Sequence, residues 1–69
     1  MTSQIHVMYE GRSWDIDLTE IDIGDQSSDQ QVRDAVANRL NVPATKLRNF
    51  VIDRQNNGEM TLRPEAVFG

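Results

Sequence analysis

An α+β architecture, with one helix laid across a four-stranded sheet, is predicted by three features of the 69-residue sequence. Apolar residues alternate with polar ones in four short runs, a helical period interrupts the runs once at their midpoint, and turn-forming residues sit at the junctions. Each run is apolar on one side only, so the sheet has one face to bury and the helix is what covers it.

The first run sets Ile5, Val7 and Tyr9 on one side and Gln4, His6 and Met8 on the other. After Gly11-Arg12 the alternation resumes with Trp14, Ile16 and Leu18 against Ser13, Asp15 and Asp17. A two-residue loop with glycine first predicts a type II′ turn. Facing Glu10 with Ser13 then pairs Tyr9 with Trp14, Val7 with Ile16 and Ile5 with Leu18, joining apolar side chains on one face. The same register sets His6 opposite Asp17. Residues 20–26 hold Ile21 and Ile23 among acids and a glycine, and either finish the second strand or turn toward the next element.

Ser28 followed three residues later by Gln31 is a capping-box signature, and Asp29 suits the positive end of a helix, so a helix is predicted to start near Asp29. Val32, Ala35, Val36, Arg39 and Leu40 recur at helical spacing. Val32, Val36 and Leu40 form one stripe, with Arg33, Asp34 and Asn38 outside it. Asn41 favours a C-terminal cap and Pro43 blocks continuation, leaving about twelve residues that need a sheet to pack against. Residues 44–47 read as a short turn whose Leu47 plugs the core.

The last two runs flank Asn56-Asn57-Gly58. A two-residue Asn57-Gly58 loop opposes Ile52 to Arg63. A three-residue loop with Gly58 left-handed opposes Ile52 to Leu62 and Arg54 to Met60, and hydrophobic matching selects it. Phe50, Ile52, Met60 and Leu62 then face inward, with Val51, Asp53, Thr61 and Arg63 outward.

Leu, Ile, Val and Phe supply 17 of the 69 residues, enough for a folded core, and the absence of cysteine leaves that core without disulfide or thiolate support. Eleven acidic against seven basic side chains, a formal charge of −4, argue against nucleic acid as a partner. The longest apolar run is three residues, Phe50 to Ile52, which predicts no membrane association and, without a basic leader, a cytoplasmic protein. With one histidine, one lysine and no cysteine, no catalytic residue is assigned and the chain is not expected to be an enzyme. His6 and Asp17 lack a nucleophile to complete a catalytic set, so the pair reads as a solvated cross-strand contact. Asp15, Asp17, Glu20, Asp22 and Asp25 alternate with apolar residues rather than following calcium-loop spacing, so no metal or bound cofactor is expected.

The order of two strands, a helix, two strands, the proline just after the helix and the terminal Gly69 resemble the ubiquitin-like β-grasp superfamily over essentially the whole chain. The resemblance implies one domain over residues 1–69, a four-stranded mixed sheet with the first and last strands parallel at its centre, and residues 64–69 as an extended tail. Bacterial ubiquitin-like modifiers from operons with activating and conjugating enzymes are the most similar group, and the length is that of the small sulfur carriers. It further implies that an E1-like enzyme of the kind used in thiamin and molybdopterin synthesis adenylates the Gly69 carboxylate with ATP and Mg. An E2-like enzyme would pass it to amines of a target protein, and a peptidase would reverse the attachment. Glycine suits a tail that must thread a narrow cleft. Val67 and Phe68 would be read by the activating enzyme, and Phe68 stands where the family has a second glycine. Lys46, the single lysine, would be the linkage point of any chains. The outer sheet face, with Met8, Val51, Thr61 and Arg63, is where the superfamily binds partners, here one with an acidic rim. The alternatives are a sulfur carrier forming a C-terminal thiocarboxylate and a non-covalent interaction or assembly module.

Overall fold

The computed structural model describes residues 3–65. Strands β1 (Gln4–Tyr9) and β2 (Arg12–Asp17) form the first hairpin, followed by a 3-10 turn at Leu18–Ile21. Helix α1 (Asp29–Leu40), a second 3-10 turn at Ala44–Leu47, and the hairpin of β3 (Phe50–Arg54) and β4 (Met60–Pro64) complete the order. The sheet order is β2-β1-β4-β3, with β1 and β4 parallel and both hairpins antiparallel. One helix therefore lies across a four-stranded mixed sheet.

The core forms where the inner sheet face meets the helix: Ile5, Val7, Ile16, Met60 and Leu62 from the strands, Val32, Val36 and Ala37 from α1, and Leu18 and Leu47 from the 3-10 turns. Each large apolar side chain buried this way contributes roughly 1.5–3 kcal/mol against leaving it in water. Leu47 is fully buried and closes the core as expected. The helix starts at Asp29 because Ser28 accepts from the Gln31 N–H at 3.1 Å while the Gln31 side chain accepts from the Ser28 N–H at 2.7 Å. It ends at Asn41 in the left-handed region (φ 59), whose N–H returns to the last turn.

Three expectations are corrected. The first turn is Glu10-Gly11 with both residues at positive φ (50 and 76), a type I′ geometry, and the register moves by two residues to pair Val7 with Trp14 and Ile5 with Ile16. His6 accordingly faces Asp15, not Asp17, and Asp17 faces Gln4. Leu18 leaves the strand to begin the 3-10 turn, and residues 20–26 continue through left-handed Asp22 (φ 56) into a turn closed by the Ser27 N–H on the Gly24 carbonyl. Arg33 lies outside the apolar stripe, as expected, yet is half-buried, its Nη1 donating to the Phe50 carbonyl at 3.3 Å. Finally, Pro64 belongs to β4 opposite Phe50, so the sheet extends one residue into the expected 64–69 tail. The second hairpin keeps its expected register, Ile52 opposite Leu62 and Arg54 opposite Met60, with Gly58 at φ 88.

Candidate functional site

Period-two alternation sends every second side chain of the sheet away from the helix, and the pairing fixes which of these become neighbours. Val51 faces Arg63, Asp53 faces Thr61, and Thr61 lies beside His6 of β1. Met8 follows two residues after His6 and lies opposite Ser13. Met8, Val51, Thr61 and Arg63 thus share the outer face, and Met8, at 44% exposure, is its most open large apolar side chain.

The polar groups of this face pair with each other. Arg63 Nε donates to Asp53 Oδ2 at 2.7 Å, and that hydrogen bond, with the attraction of the carboxylate, holds the guanidinium pKa above its already high value against slight desolvation. His6 Nδ1 and Asp15 Oδ1 are 2.7 Å apart, and Gln4 Nε2 donates to Asp17 Oδ1 at 3.0 Å. Both contacts are close because they fall at pairs where the two backbones do not bond each other and the side chains approach most nearly. The carboxylates of Asp15, Asp17 and Asp53 leave the face acidic around its one guanidinium.

A second feature was not visible in the sequence. Tyr9, Glu10, Arg12, Trp14, Leu40 and Val42 line a cleft of about 360 Å³ between the first hairpin and the end of α1. Tyr9 packs against Phe50 with ring centroids 5.9 Å apart. Partial burial, then the Glu10 carboxylate beside it, raise the Tyr9 phenol above its usual range. The apolar spacing of Trp14 and Leu40 signalled burial, but only the crossing of helix over sheet brings them to one opening.

Lys46 is exposed on the second 3-10 turn, where an amine is accessible to another molecule. Gly69, Val67 and Phe68 lie outside the described residues. Among the described residues no three His, Cys, Asp or Glu side chains converge to hold a metal, and no helix is long and apolar enough to cross a membrane. No family model, no curated protein and no solved structure matches this chain.

Proposed function

We propose that the chain is a β-grasp protein modifier of the ubiquitin-like kind, in which an E1-like enzyme adenylates the Gly69 carboxylate with ATP and Mg. Transfer through a thioester to an E2-like enzyme and then to a target amine would follow, with a peptidase to reverse it. The observation that carries this reading is the parallel pairing of β1 with β4 at the centre of the sheet, which is compatible with a β-grasp. In that arrangement the last strand is held between two neighbours and ends at exposed Pro64, with exposed Glu65 after it. The chemistry of the protein itself is then confined to presenting the carboxylate, and Lys46 is its only side-chain amine for linkage to further copies.

The test is expression with an N-terminal tag beside a version lacking Gly69, followed by inspection of denatured lysate with and without reductant. Larger tagged species that resist reductant and vanish on deleting Gly69 are expected. If both versions run only as the free protein, conjugation is rejected; an intact mass heavier by one oxygen-to-sulfur exchange would assign the chain to sulfur transfer instead.

A further inference from the structure

The two edges of the sheet are unlike. In the second hairpin the Gln55 N–H donates to the Glu59 carbonyl at 2.9 Å, and alternation from that bonded pair turns the backbone groups of Phe50, Ile52 and Arg54 away from β4. This edge is guarded. Arg33 Nη1 occupies the Phe50 carbonyl, and Arg54 Nη2 reaches back to the Ser27 carbonyl at 2.7 Å and to Asp29 at 2.8 Å. At the other edge the Leu18 N–H donates to the Ser3 carbonyl at 3.0 Å, so by the same alternation Trp14 and Ile16 bond β1 while Ser13 and Asp15 point their N–H and C=O groups outward. Among the described residues β2 has no strand neighbour on that side.

The side chains along the open edge differ by face. Ser13, Asp15 and Asp17 lie on the outer side, the Asp15 side chain being 63% exposed. Trp14 lies on the inner side and lines the cleft with Leu40 and Val42, together with Glu10 and Arg12. We propose that the β2 edge accepts an extended segment of a partner protein as a fifth strand, with Lys or Arg at alternate positions beside Asp15 and Asp17 and apolar side chains between them over Trp14. Backbone pairing supplies the docking and the alternation supplies the choice of partner. A second copy of this chain fits poorly: β2 against β2 brings aspartate rows together, and at the β3 edge Arg33 already takes the Phe50 carbonyl. The inference does not depend on activation of the carboxylate.

The probes are two capped six-residue peptides, alternating Lys-Val and alternating Glu-Val, titrated by calorimetry and by amide NMR. The Lys-Val peptide is expected to bind at least about tenfold more tightly, with the amides of Ser13 and Asp15 gaining the most protection from exchange. Ser13→Pro removes only an outward N–H and no charge, so it should weaken binding by about tenfold or more with the remaining spectrum intact. The double variant Asp15→Lys, Asp17→Lys should reverse the preference toward Glu-Val, which keeps the proposal testable if the proline variant fails to fold. No binding of either peptide, equal binding of both, undiminished binding by a folded Ser13→Pro protein, or a preference that the double variant does not reverse would each overturn it.

Discussion

At the scale of single residues, backbone conformation and burial make separable demands. Gly58 sits at φ 88, and a Cβ there would meet Ser3 Oγ at 2.7 Å; Gly11 sits at φ 76 with nothing within reach. Gly58→Ala therefore adds a contact to the same strain and is expected to cost about 1–2 kcal/mol, more than Gly11→Ala, when the two urea midpoints are compared. Tyr9, the single tyrosine, is expected to titrate above the ordinary phenol value of 10.0, because burial first and Glu10 second disfavour the phenolate. Ultraviolet absorbance reads this directly, and Glu10→Gln should return only part of the shift. Since the folded state holds this proton more tightly than the unfolded one, the associated stability is complete below the ordinary value and declines as pH rises through the folded one.

Among the elements, the helix rests on its ends as much as on its stripe. Ser28→Ala breaks the reciprocal cap and leaves a first-turn N–H unpartnered, for an expected loss of about 1 kcal/mol by thermal or urea unfolding. The two hairpins show what alternation can and cannot decide. For the second, the rival registers differ by one residue, which turns every side chain over, and hydrophobic matching separates them. For the first, the rivals differ by two residues, which leaves each side chain on its own face. Alternation is blind to that shift, and the turn decided it by placing Gly11 second rather than first. The cost to functional reading was local: His6 acquired Asp15 in place of Asp17 as its neighbour.

In the molecule as a whole, the pairing of β1 with β4 joins segments from opposite ends of the described chain, and Leu62 is fully buried where they meet the helix. Leu62→Ala is expected to cost about 2–5 kcal/mol, a large part of the stability of a domain this small. Val51→Ala, on the outer face, should cost no more than about 1 kcal/mol by the same denaturant titration. A partner bound to the outer face would feel the second change far more than the fold does. The unequal edges also belong to this scale, since Arg33 guards β3 from a helix that the sheet had first to position.

The one-sided alternation, the capping box, Pro43 and the Asn56-Asn57-Gly58 loop determined by themselves four strands, a helix with its limits and most of the core, because each is a local preference with a short period. The outward placement of Met8, Val51, Thr61 and Arg63 was legible for the same reason. Tertiary structure alone decided the first hairpin's register, the course of residues 20–26, the partial burial of Arg33 and the cleft that Trp14 lines. These depend on where helix, edge and turn meet in space, and no periodicity within one segment carries that information.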